Sequence, residues 1–113
     1  MPMRVGFVQH RMRLLQEELE NVLSMLPQLG VKKAVLLNPL YPGTIAPDTA
    51  LKIVMIMEDD RPFVRRPDFF YSHISPSAAV DFFPYTPQEI DDICKTDSYL
   101  SKALRRGEVI YDA

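Results

Sequence analysis

The sequence predicts an α/β domain of the α+β kind, a small mixed β-sheet covered by helices, and three observations carry that expectation. Apolar residues recur at three- and four-residue steps from His10 to Leu29, the period of an amphipathic helix. Two short apolar runs, Ala34–Leu37 and Leu51–Met57, flank a proline-punctuated loop, which is a strand-loop-strand layout. Late in the chain, Thr86-Pro87-Gln88-Glu89 and Gly107 mark a helix start and a helix stop.

Composition narrows the classes open to this chain. With 113 residues, 47% hydrophobic and 25% charged, it has the length and apolar content for one core. A net charge of -2 and a pI near 5.6 lack the basic footprint of a nucleic-acid binder. The single Cys94 excludes an internal disulfide and fits a reducing compartment. No run reaches the length of a membrane span, and the start MPMRVGFVQHRMR has no apolar segment of signal-peptide length. A cytoplasmic protein without membrane or nucleic-acid partners is expected.

Residues 1–10 show no clear period and read as a flexible or partner-bound arm, with the domain spanning 11–113. In the helix that follows, Met12, Leu15, Leu19, Val22, Leu23 and Leu26 form the apolar face, with Gln16, Glu17, Glu18 and Glu20 largely opposite. It should end near Pro27 and Gly30. Ala34–Leu37 reads as a short buried strand, and the loop Asn38–Asp48 holds three of the ten prolines. Along the next strand Ala50, Lys52, Val54 and Ile56 share one face and Leu51, Ile53, Met55 and Met57 the other. Both faces are mostly apolar, as in a strand covered on two sides.

Glu58, Asp59 and Asp60 read as a solvated turn rather than a displaced metal site. Phe63, Val64, Phe69, Phe70 and Tyr71 belong to one broken or late-starting helix, interrupted by Pro67, with an aromatic face on the sheet. Arg65 and Arg66 read as a solvent-facing pair rather than an anion site. Ser77–Phe83 is the third strand, and Thr86 then caps a helix with Pro87 at its first position and Glu89 at its third. Ile90, Ile93 and Cys94 should face inward. Cys94 reads as a small core residue, since neither His10 nor His73 lies near it in sequence. A last helix from Asp97 or Ser98 to Arg106 stops at Gly107 and leads into a short strand, Glu108–Tyr111.

Leu36-Leu37-Asn38-Pro39, Gly43, Asp48 and Ala50-Leu51-Lys52-Ile53 carry a resemblance, joined by the stretch from Val80-Asp81-Phe82 to Glu89 and by the tail from Tyr99 to Tyr111. On these residues the chain, over about residues 11–112, resembles the minimal nucleotidyltransferases (MNT type), small proteins of the polymerase-beta-like nucleotidyltransferase fold. That family reads hydrophobic-hydrophobic-Gly-Ser-x-Ala-Arg-Gly, a spacer, then Ser-Asp-x-Asp-hydrophobic, and the tail is the more specific half of the match. The resemblance implies a nucleotidyltransferase fold in a degenerate member. Asn38 and Pro39 stand at the Gly-Ser pair, Ala50 and Lys52 at the two metal-binding acids, and Asp81 is the retained third acid. Gly43 is a weak nucleotide-binding candidate.

The chemistry of these replacements is plain. Pro39 has neither hydroxyl nor N–H to offer a phosphate, so Asn38-Pro39 reads as a rigid turn. Ala50 offers no ligand, and Lys52 brings a positive charge where Mg²⁺ would need oxygen. Two readings stay open at this point. Either Lys52 pairs with Asp81 on the neighbouring strand in place of a metal, or Lys52 reaches solvent and Asp81 caps a turn.

Function follows from the same resemblance. Catalysis is expected to be lost, with no metal or cofactor required, leaving a non-catalytic protein-binding or regulatory subunit. The family is often encoded beside a helical HEPN-type protein in toxin-antitoxin-like pairs, which makes such a protein the implied partner; self-association into a homo-oligomer stays open. Met1–Met12 and Phe69–Tyr71 are the candidate contact surfaces. The alternative is a divergent Mg²⁺-dependent nucleotidyltransferase moving a nucleotidyl group from ATP to a protein or small molecule, using Asp48, Asp81 and the acids after Met57. A third reading, a nucleotide sensor without turnover, needs Gly43 and the arginines to form an anion site.

Overall fold

A computed structural model describes residues 2–96 and 99–113, the side chains of residues 2–5 and 42 excepted. Its first element is a 24-residue helix, α1 (Pro2–Met25). Residues 2–10, read as an arm from the sequence, are helical and extend α1 by about two and a half turns. A 3₁₀ turn (Leu26–Leu29) tightens its end, and Gly30 closes it in the left-handed region at φ 80°, its N–H pointing back to the carbonyls of Leu26 and Pro27.

Four strands form one sheet in the order β3 (Val80–Tyr85), β2 (Leu51–Ile56), β1 (Lys33–Leu36), β4 (Glu108–Asp112). β1 runs antiparallel to β2 and β4, whereas β2 and β3 are parallel. The parallel pair requires a crossover, supplied by a 3₁₀ turn (Phe63–Arg65) and α2 (Arg66–Ile74). Helices α3 (Pro87–Cys94) and α4 (Tyr99–Arg106) then lead into β4. The expected α+β class and mixed sheet are what the chain forms. The predicted start of the last helix at Asp97 or Ser98 lies outside the described residues.

The alternation read along residues 50–57 holds. Leu51, Ile53, Met55 and Met57 join Leu15, Val22 and Phe70 in the main core, while Val54 is buried on the other face beside Val35. Each such fully buried aliphatic side chain contributes about 1.5–3 kcal/mol.

Several side chains are not where periodicity puts them. Glu18, assigned to the polar face, is 3% exposed. It lies three residues after Leu15 and four before Val22, within the apolar stripe. Its carboxylate accepts the N–H of Ser77 at 2.6 Å, that of Ala78 at 2.9 Å, the Ser77 hydroxyl at 3.0 Å and the Asn21 amide at 2.8 Å. Ser77 and Ala78 therefore spend their N–H groups on α1 rather than on a ladder. The third strand begins at Val80, three residues later than expected.

Pro67 does not interrupt a helix; it stands in the first turn of α2, where an N–H has no helical partner to lose. Arg66 is 6% exposed rather than solvent-facing. Its guanidinium donates to Glu89 Oε1 at 2.6 Å and to the Arg61 carbonyl at 2.9 Å. The same Glu89 oxygen accepts the Thr86 N–H at 2.7 Å, closing the predicted capping box. Asp59, expected in a solvated turn, takes two bonds from the Arg61 guanidinium at 2.8 and 2.6 Å. Glu58 and Asp60 stay exposed. Cys94 is exposed rather than inward-facing, because α3 ends there and turns its last residue to solvent.

Gly107, between α4 and β4, packs tightly against β1. A Cβ there would sit 2.7 Å from Val35 Cγ1 and 2.9 Å from the Leu36 carbonyl oxygen. Gly107→Ala is expected to destabilise the protein by about 1–3 kcal/mol through overpacking, read as a lowered urea midpoint.

Burial works against ionisation of Glu18, but the bonds from Asn21, Ala78 and Ser77 outweigh it and hold its carboxyl below the usual range. The Arg61 side chain does the same for Asp59, and Arg66 for Glu89. A carboxyl depressed in the folded state binds fewer protons folded than unfolded near its unfolded value of about 4. Its stabilisation is complete above that value and is lost as pH falls through the folded one. Urea midpoints should therefore drop between about pH 5 and pH 3. Glu18→Gln should flatten that dependence, and an unchanged slope would show that Glu18 is not a source of it.

Candidate functional site

The positions singled out in the sequence meet at one end of the β1–β2–β3 surface. Leu37 N–H extends the β1–β2 ladder by bonding the Lys52 carbonyl at 2.8 Å. The next residue but one, Pro39, has no N–H, and the Asn38 side chain takes over the pairing. Its Oδ1 accepts the Lys52 N–H at 2.9 Å and its Nδ2 donates to the Ala50 carbonyl at 2.7 Å. The Asn38-Pro39 pair is thus a rigid exit from β1 with a side-chain clamp onto β2. Asn38 does not adopt a left-handed backbone.

The loop beyond is bonded to itself. The Thr44 hydroxyl donates to the Tyr41 carbonyl at 2.9 Å, and the Thr49 hydroxyl accepts the Ala46 N–H at 2.7 Å. Arg11 reaches over from α1 to the Thr49 carbonyl at 2.7 Å. Nothing in the sequence marks Arg11 for this contact, since the two residues lie 38 positions apart.

A cleft of about 310 Å³ opens between this loop and the sheet. Asn38, Pro39, Ala50, Lys52 and Asp81 all line it, together with Asp48 and walls from Leu40, Thr44 and Thr49. Gly43 is not among the lining residues. It lies exposed in the 3₁₀ turn (Pro42–Thr44), where a Cβ would meet nothing and its φ is not positive, so no close backbone approach calls for glycine there.

Lys52 and Asp81 are direct partners in the β2–β3 register. Both are exposed, and among the described residues no ion pair joins them. Of the two readings left open, the Lys52–Asp81 ion pair is therefore corrected to adjacency. An exposed pair gains at most about 1 kcal/mol and must immobilise a long side chain, so solvation competes successfully. Nor does Asp81 cap a turn, since it is the second residue of β3.

The acids after Met57 do not converge on the cleft. They follow the far end of β2, about 20 Å along a six-residue strand. Asp59 is committed to Arg61, and Glu58 lies 3.8 Å from Lys32. Among the described residues no three His, Cys, Asp or Glu side chains stand close enough to share a metal. Arg66 is neutralised by Glu89, and neither it nor Arg65 lines the cleft.

The Phe69–Tyr71 surface is largely spent on packing. Phe70 is buried, Phe69 lies under the Arg61 guanidinium at 3.9 Å, and Tyr71 donates its hydroxyl to the Val80 carbonyl at 2.6 Å. Tyr71 nonetheless stays partly open to solvent, as do Phe7 and Leu14, seven residues apart on one face of α1.

Asn38→Ala removes both bonds to β2 and leaves the Ala50 carbonyl and Lys52 N–H without their partner. The expected cost is about 1–3 kcal/mol in urea denaturation. Faster amide exchange at Lys52 should accompany it, and unchanged exchange there would show that the clamp does not hold the strand end.

Compared with protein-family models, with curated proteins and with solved structures, the chain shows no match in any of the three.

Proposed function

We propose that the protein is a nucleotidyltransferase-like domain without catalysis that works as a protein-binding or regulatory subunit, with a helical partner of the HEPN type as the one the sequence resemblance implies. One observation carries this reading. The five positions that the resemblance assigns to the reaction line a single cleft, and two of the three that should carry carboxylates are Ala50 and Lys52. Two-metal nucleotidyl transfer needs oxygen ligands converging on adjacent ions, and an ammonium beside Asp81 opposes a cation electrostatically. Phe7 and Leu14, exposed two turns apart on α1, offer two apolar contacts to a helical partner.

The second reading, a divergent Mg²⁺-dependent transferase acting with ATP, draws on Asp48 and Asp81 sharing that cleft. Calorimetric titration with ATP, with and without Mg²⁺, separates the two. The natural protein should give no metal-dependent heat, whereas Ala50→Asp combined with Lys52→Asp, facing Asp81, should acquire Mg²⁺ binding. Mg²⁺-dependent ATP binding by the natural protein, lost in Asp81→Asn, would overturn the non-catalytic reading and favour the enzyme.

A further inference from the structure

The second face of the sheet is covered incompletely. Val35 and Val54 are buried there, and the chain at Gly107 closes onto β1, yet Phe83 and Tyr85 on β3 are only half-buried. Tyr99, at the start of α4, is 89% exposed. Between them lies a groove of about 410 Å³, distinct from the cleft above but meeting it at Asn38 and Lys52. That volume falls in the range of small-molecule sites, which pair apolar walls with a few polar groups.

We propose that this groove binds a small organic monoanion, an aromatic or aliphatic acid, whose apolar body lies on Phe83, Tyr85 and Tyr99 and whose acidic head meets Lys52. Among the described residues Lys52 is the one charged side chain in the lining, and it has no ion-pair partner there. Asn38 is engaged with β2 and leaves the head to the ammonium. An anion arriving from the apolar side gains a charge-assisted bond at the edge of a low-dielectric surface. Burial, with Glu89 adding to it, raises the Tyr85 phenol above its usual range, so it stays neutral at pH 7 and does not repel an acid.

Asp81 selects against higher charge. It stands beside Lys52 in the β2–β3 register, and Asp48 lies across the neighbouring cleft. A triphosphate would face two carboxylates for one ammonium, whereas a single carboxylate or sulfonate can be matched by Lys52 alone. The proposal therefore concerns an acid rather than a nucleotide, and it stands independently of the function proposed above.

The test is a fluorescence titration with two dyes sharing one aromatic body, 8-anilinonaphthalene-1-sulfonate, which carries one negative charge, and N-phenyl-1-naphthylamine, which carries none. Both should bind saturably, and 1-naphthoate should displace them. Lys52→Gln should weaken the sulfonate by at least about tenfold, the loss of one charge-assisted bond, and leave the neutral dye unchanged. Tyr99→Ala should weaken both dyes. Lys52 and Tyr99 are exposed, so both variants should fold, which circular dichroism confirms. Val64→Ser, at an exposed position that does not line the groove, should change neither affinity. Absence of saturable binding, equal sulfonate affinity in the natural protein and Lys52→Gln, loss of binding only in Val64→Ser, or displacement by ATP more readily than by 1-naphthoate would each overturn the proposal.

Discussion

The carboxylate of Glu18 is the interaction on which the rest of the arrangement depends. Carried by α1 and buried, it gathers the N–H groups of Ser77 and Ala78 that would otherwise lie unpaired beneath the helix. Because those two donors are spent, pairing with β2 begins at Val80, opposite Leu51. That register places Asp81 beside Lys52. Shifted by one residue, the parallel pair would expose Phe82 and bury Asp81, so the contact that docks α1 also decides which side chains face the cleft.

A second polar hub joins α2 to α3. One Glu89 oxygen completes the capping box of α3 and holds the Arg66 guanidinium, which also reaches the Arg61 carbonyl. A buried guanidinium is costly unless it is paired and its donors are met. Here the pairing ties the crossover helix to the helix after β3. The outer edge of β3 is protected by the same elements. Tyr71 bonds the Val80 carbonyl, and Pro84 presents no N–H to a foreign strand.

Lys52 stands where two recesses meet. On one side is the polar cleft with Asp48 and Asp81, and on the other the groove walled by Phe83, Tyr85 and Tyr99. Its strand position is held by Asn38, whose side chain continues the ladder that Pro39 cannot. A cation presented by a braced strand end between two recesses is suited to recognising an anion and opposed to holding a metal. The non-catalytic reading and the proposed acid site both rest on that physical character, but they use different walls.

Local chemistry was legible in the sequence wherever neighbours in the chain settle the structure. Thr86 and Glu89 satisfy each other within one turn, Gly30 ends a helix by its own backbone freedom, and the apolar alternation from Leu51 to Met57 needs only a two-sided sheet. Strand alternation also aims Ala50 and Lys52 to one side, whereas the place of Asp81 on the adjacent strand was only what the resemblance implied. What the sequence left undetermined was the outcome of competition between distant groups. Glu18 looks like a solvated side chain until Ser77 and Ala78 arrive, Arg66 until Glu89 does, and Lys52 and Asp81, left between pairing and solvent by the sequence, both prove solvated. A charged side chain is buried or exposed according to whether tertiary structure supplies enough partners to replace water, and those partners lie tens of residues away.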